Sequence, residues 1–272
     1  MLRLDRGIPP LSKNVAAEDN PDERVRELAT IDAKLLRDVA AMNPAAAACP
    51  SSPLPFSPES MTKWSCGYLP NDGGGDKRGW SLRGNILYPV LSSRARCSRG
   101  SVATCNMNRR NANILNSPAE RSAQEPPAKH RFPKGFHRGV ELFGQHSSRL
   151  KESGYREFIA RYGLTLVEGF NDVIGLDIQG VPALGIMSNR MTDAQGEKVL
   201  RFAKQLGTRR VNLLFDCEDS GTAGAKEALW YFAEQQMDVR LVWSPSMFGG
   251  KWKGRQPESL TPDDVASLLL DS

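Results

Sequence analysis

The sequence predicts an α/β protein with a mostly parallel sheet flanked by helices, preceded by a smaller α+β subdomain. Three observations support this. Apolar runs of strand length alternate with stretches of helical periodicity through residues 164–243, the pattern of a parallel sheet covered on both faces. Thr192 and Gln195 make a capping box ahead of an apolar stripe of Val199, Phe202, Ala203 and Leu206, and Gly207 ends it. Upstream, the short apolar runs are separated by a glycine-rich turn at Gly73, Gly74 and Gly75 instead of by helices.

Taken in order, residues 21–42 read as one amphipathic helix, because Val25, Leu28, Ile31, Leu35, Leu36 and Val39 recur at steps of three and four. Residues 43–60, rich in Ala, Pro and Ser, read as a linker. Residues 61–90 hold short ordered pieces, among them the apolar strand 86–90. Residues 92–127 are rich in Ser, Arg, Asn, Ala and Pro and lack apolar periodicity, so they read as a disordered loop interrupting that unit. The regular part follows: strands at 164–167, 181–187, 211–215 and 239–243, and helices at 170–179, from Thr192 to Gly207, and at 222–236. The expected organisation is an N-terminal helix and linker (1–60), a subdomain (61–150) with an irregular insert (92–127), an α/β domain (151–245) and a tail (246–272).

The composition excludes several classes. Of the 272 residues, 40% are apolar and 25% charged, as in globular proteins, and most of the 18 prolines fall in the first half. No apolar run reaches transmembrane length and Asp5 and Arg6 break any secretory apolar core, so a cytoplasmic protein with no membrane partner is expected. The five cysteines form no C-x-x-C pair, which argues against a zinc ribbon or a disulfide framework. A net charge of +5 is compatible with a polyanionic partner, with cations gathered at residues 94–110, 129–138 and 251–255.

Two predicted strands end in acids: Glu168 after the first, Asp216 and Glu218 after the third. Ligands of open parallel sheets collect at those carboxyl ends. Asp172, four residues beyond Glu168, faces the same space if Glu168 opens a helix. Carboxylate oxygens suit Mg²⁺, which takes one or two of them and keeps waters to exchange for phosphate oxygens. For a single acid at a strand end, solvation or helix capping is the better explanation. The combination with Gly169 and Gly221, which permit tight turns toward a phosphate, favours a site.

Val167-Glu168-Gly169-Phe170-Asn171-Asp172-Val173-Ile174 resembles the first Toprim motif of bacterial DNA primases of the DnaG type, and Phe215-Asp216-Cys217-Glu218-Asp219-Ser220-Gly221 resembles their second, Asp-x-Asp-type motif. Met191-Thr192-Asp193-Ala194-Gln195 is similar to the opening of the intervening helix. Gly67-Tyr68-Leu69-Pro70, Arg83-Gly84-Asn85-Ile86-Leu87-Tyr88-Pro89-Val90, Lys134-Gly135 and Glu141-Leu142-Phe143-Gly144 resemble the subdomain that precedes Toprim in primases. The resemblance implies synthesis of short RNA primers from ribonucleotides on a single-stranded DNA template. It assigns Mg²⁺ or Mn²⁺ to Glu168, Asp172, Asp216 and Glu218, with Glu168, Asp216, Glu218 and Lys134 catalytic. It makes Lys129, Arg131 and Arg138 phosphate contacts, and points to a replicative helicase as a further partner. His130, His137 and His146 are left structural or exposed.

The sequence departs from the family in ways that imply a truncated or accessory member. It shows no Cys/His zinc module and no helicase-binding domain. The third acidic segment survives only as Arg255-Gln256-Pro257-Glu258, and Glu218 stands where the family has Asp. The family's strand and Gly-Arg pair have no counterpart in residues 94–108. Permitted codons for residues 94–104, read in a shifted frame, encode Gly-Glu-Val-Leu-Thr-Trp-Phe-Gly-Arg-Asp, a strand of the expected kind. A frameshifted segment restored near Pro127 is therefore one hypothesis for the insert. A Toprim nuclease and a catalytically weakened nucleic-acid-binding module are the competing functions.

Overall fold

The computed structural model describes residues 34–37, 56–70, 85–91, 97–105, 130–132 and 136–270. Two four-stranded sheets carry the architecture. The first is antiparallel, in the order β1 (Gly67–Leu69), β2 (Asn85–Leu91), β3 (Cys97–Cys105), β4 (His130–Arg131), and is preceded by helix α1 (Pro58–Lys63). The second is parallel and is built from β5 (Leu164–Val167), β6 (Ala183–Gly185), β7 (Arg210–Leu213) and β8 (Asp238–Leu241), in the order β6-β5-β7-β8. Its helices are α2 (Tyr155–Tyr162), α3 (Phe170–Ile178), α4 (Asp193–Leu206), α5 (Asp219–Glu234) and α6 (Pro262–Leu269).

That strand order fixes where a ligand can sit. From β5 the chain crosses to β6 on one side, and from β7 to β8 on the other, so a topological switch point opens at the carboxyl ends of β5 and β7. Alternation along the strands sorts the core. Leu164 and Leu166 pack with Val199, Phe202 and Leu206 of α4 and with Ala225, Ala228 and Phe232 of α5. Val167 and Leu214 lie in the cluster that holds Phe170, Val173 and Ile174 of α3 and Leu268 of α6. Ile86, Tyr88 and Val90 of β2 join that second cluster, so the upstream sheet packs on the α3 side of the molecule.

A buried ion-pair network fastens the two parts. Arg149, fully buried, donates to Asp177 Oδ1 of α3 at 2.9 Å and to the Ala183 carbonyl at 2.9 Å. Its guanidinium lies against the rings of Trp64 and Tyr155, 4.7 and 4.9 Å from their centroids. The other oxygen of Asp177 accepts from Trp64 Nε1 at 3.0 Å and Lys63 Nζ at 2.8 Å, both at the end of α1. Tyr88 of β2 adds a second tie, donating to Asn171 Oδ1 at 2.9 Å and stacking on Phe170 at 4.9 Å.

The α/β elements stand where the sequence places them, with ends differing by a few residues. Strand 181–187 narrows to Ala183–Gly185, and the helix expected from 222 begins at Asp219. Four expectations are corrected. The helix at 21–42 does not run through 34–37: Leu36 forms an antiparallel bridge with Tyr68, exchanging N–H···O bonds of 2.9 and 2.8 Å. The open edge of β1 offers unpaired backbone groups there, and pairing with them overrides helix propensity. The rest of 21–42 lies outside the described residues. Second, the insert is not structureless throughout, since Cys97–Cys105 pairs with β2 and β4, and the strand thought missing is present as backbone. Third, the expected linker ends early, with Phe56 buried and Ser57 capping α1. Fourth, the tail contains α6, whose start was legible as Thr261 at the cap, Pro262 after it and Asp264 completing a capping box. The sequence reading also missed α2.

Candidate functional site

The switch point opens into a cavity of about 200 Å³. Glu168 reaches it because β5 ends at Val167, and Asp216 because β7 and the buried Leu214 and Phe215 end there too. The two loops are stitched by a hydrogen bond from the Asp216 N–H to Glu168 Oε1 at 3.1 Å. Gly221 makes this approach possible: a Cβ there would sit 2.2 Å from the Asp216 carbonyl and 2.7 Å from Glu168 Oε1. Gly221 is thus required by close packing, where the sequence reading invoked a tight turn.

Asp172 lies in the first turn of α3, only 3% exposed. Its carboxylate accepts from the Gly169 N–H at 2.7 Å and from the Glu258 N–H at 3.3 Å. Burial raises its pKa well above the usual carboxylate range, and the neighbouring Glu258 and Asp216 carboxylates raise it further, against the opposing Gly169 hydrogen bond. Opposite, Gln256 Nε2 donates to Asp216 Oδ2 at 2.9 Å. Gln256 and Glu258 both line the cavity, so the segment read as a degraded third motif forms its far wall. It is held there by backbone bonds from Cys217 N to the Arg255 carbonyl (2.9 Å) and from Gly254 N to the Cys217 carbonyl (2.7 Å). Met187, Ser188 and Asn189 complete the rim after β6, with Met187 in a left-handed conformation at φ 58°.

Of the residues singled out in the sequence, Glu168, Asp172 and Asp216 come together on this cavity. Glu218 does not line it: it is the exposed N-cap of α5 and accepts from Ser220 Oγ at 2.6 Å. Arg138 is exposed in a 3-10 turn, with its guanidinium 5.6 Å from the centre of the Phe132 ring and its carbonyl bound by Gln195. Arg131 is placed by its backbone in β4 opposite Thr104. Lys129 and Lys134 lie outside the described residues. His137 is exposed, and His146 is partly buried beside Arg149, burial first and that cation second pushing its pKa down to about 4. Asn171, Gln256 and Glu258 were missed as site residues. Glu258 was legible as the one acid left in its motif, while the Asn171 signal was hidden inside the α3 pattern.

Among the described residues, no three His, Cys, Asp or Glu side chains stand close enough to hold one metal ion. The donor chemistry nevertheless fits Mg²⁺ or Mn²⁺, which use one or two carboxylates and complete their shell with water or phosphate oxygen. Glu168 and Asp216 supply such a pair, and the Glu258 and Asp216 carboxylates, which add to burial in pushing Asp172 toward its neutral form, are negative charge a divalent cation would relieve.

The fold and cavity define a class: an α/β protein with acidic groups at the switch point of a parallel sheet, joined to an antiparallel subdomain. No protein-family model and no curated protein matches the sequence. Solved structures do match. The zinc-binding and RNA polymerase domains of the Aquifex aeolicus primase align at a TM-score of 0.64 with 18% identity, over 94% of this chain and 62% of that one. The RNA polymerase domain of Mycobacterium tuberculosis primase DnaG aligns at 0.59 with 16% identity, over 92% and 82%. A DnaG primase catalytic domain bound to single-stranded DNA aligns at 0.53 with 17% identity, over 90% and 77%. The fold is that of a primase catalytic domain, and the chain spans less than two thirds of the Aquifex structure. Among the described residues, no helix is long and apolar enough to cross a membrane.

Proposed function

We propose that the chain is a primase-like nucleotidyltransferase that makes short RNA primers on single-stranded DNA, with Mg²⁺ or Mn²⁺ held by its Toprim carboxylates. The observation that carries this is the convergence of Glu168, Asp172, Asp216 and Glu258 on one cavity at the switch point of a primase-type fold. In the reaction, a primer 3′ hydroxyl attacks the α-phosphorus of a ribonucleoside triphosphate. The new phosphodiester forms as the bond to pyrophosphate breaks, and the hydroxyl proton passes to solvent. Glu168 and Asp216 would hold the divalent ion, which when bound would neutralise charge on the triphosphate and acidify the attacking hydroxyl. The chain's own residues position it. The Asp216 N–H fixes the Glu168 carboxylate, Gly221 lets the two loops meet, and Asp172 holds the turn between β5 and α3 against the Glu258 segment. Template DNA and ribonucleotides are the partners this reading requires, and a replicative helicase is the natural source of the template.

One observation favours a second reading, the catalytically weakened nucleic-acid-binding module. Gln256 occupies Asp216 Oδ2 with an amide N–H, which takes a lone pair a metal would use. Incubating the protein with a single-stranded template, labelled ribonucleotides and Mg²⁺ separates the readings. Oligoribonucleotide products support the proposal, retention of template without products supports the second reading, and template cleavage points to a nuclease.

A further inference from the structure

Beyond β8 the chain enters a loop, residues 244–256, whose last residues form the cavity wall. Its base is firmly built. Trp252 is buried to 1% and packs beside Trp243, 6.1 Å between ring centroids, and the Cys217 backbone bonds pin residues 254 and 255. Its tip is the opposite. Phe248 is 50% exposed and left-handed (φ 51°, ψ 36°), and Gly249 and Gly250 follow with φ of 64° and 81°. Lys251 and Lys253 are exposed, and Lys251 Nζ sits 4.2 Å from the centre of the Trp252 ring. A merely solvated loop has no use for a half-exposed phenyl ring held in a conformation bulky side chains avoid.

We propose that this loop is a contact surface for single-stranded nucleic acid, with Phe248 stacking on a base and Lys251 and Lys253 taking backbone phosphates. An aromatic platform beside cations is how strands are bound without sequence preference. The partly buried Arg255 is already committed, to Asp264 at 3.3 Å and to Ser259, so it anchors the loop and leaves the lysines for phosphate. The loop runs directly into Gln256, so the proposed contact surface and the cavity wall belong to one continuous segment. The proposal rests on the reading above that the cavity works on nucleic acid, and adds a second, metal-independent contact to it.

The test is fluorescence anisotropy of a labelled oligothymidylate with the full chain in EDTA, over a range of salt concentrations. Each phosphate contact on a single strand contributes about 0.7 to the slope of log affinity against log salt, so Lys251→Gln with Lys253→Gln should flatten the slope by about 1.4. Lys253→Gln alone, which leaves the cation on Trp252, should flatten it by about 0.7. Phe248→Ser should weaken binding about tenfold with the slope unchanged. Lys204→Gln with Lys226→Gln, exposed lysines of α4 and α5, should alter neither. Loop variants that match wild type, a control pair that behaves like the loop pair, or a wild type that does not bind would each overturn the proposal. Primer synthesis by a Phe248→Ser protein of undiminished affinity would sink the loop and leave the catalytic reading standing. Loop-dependent binding without primer synthesis would do the reverse.

Discussion

Asp172 shows how a single side chain can report on the cavity. Its folded-state pKa is raised, so at pH between the unfolded and folded values the native protein binds more protons than the unfolded chain. The associated stability is fully present below the ordinary carboxylate pKa of about 4 and is lost as pH rises through the folded value. Metal-free protein should therefore lose melting temperature as pH climbs from about 4, and Asp172→Asn should lose less of it over the same range. Equal slopes for the two proteins would show that Asp172 is not the protonated group. Gln256 offers a second test at this scale. Its amide N–H competes for Asp216 Oδ2, so Gln256→Asp should raise Mn²⁺ affinity about tenfold, and an unchanged or weaker affinity in calorimetry would show that the amide costs the site nothing.

At the scale of elements, α3 is held at both ends. Asp172 ties its first turn to the Glu258 segment, and Asp177 near its last turn receives Arg149, Lys63 and Trp64. Asp177→Ala would leave the fully buried Arg149 with only the more distant Glu152 carboxylate, 3.9 Å away, and should cost roughly 3–5 kcal/mol in denaturant unfolding. A loss under 1 kcal/mol would mean that the network is not what joins the two parts. The sequence displayed such features unevenly. The helix from Thr192 to Gly207 was legible in full because its cap, stripe and C-terminal glycine agree. Strand β3 was not, since in residues 97–105 only Val102 and Thr104 are β-branched, none is aromatic and the rest are Ser, Arg, Gly, Ala and Cys, and their pairing is set by neighbours distant in sequence. That mismatch keeps the frameshift hypothesis alive for residues 94–127. Sequencing the coding DNA should find Gly-Glu-Val-Leu-Thr-Trp-Phe-Gly-Arg-Asp in the adjoining frame, and any other peptide there ends it.

For the whole molecule, the governing feature is the strand order β6-β5-β7-β8, which brings Glu168 and Asp216 from positions 48 residues apart to either side of one crevice. The sequence motifs foretold that meeting. They did not foretell that Glu258 would close the far wall while Glu218 stayed outside, because that depends on how the loop after β8 folds back across Cys217. The most direct measurement is Mn²⁺ titration followed by electron paramagnetic resonance, comparing wild type with Glu168→Gln and Asp216→Asn at matched folding. Saturable uptake by wild type that falls at least tenfold in both variants is the predicted result. No uptake by wild type, or equal uptake by all three, would contradict a divalent-ion site at the switch point.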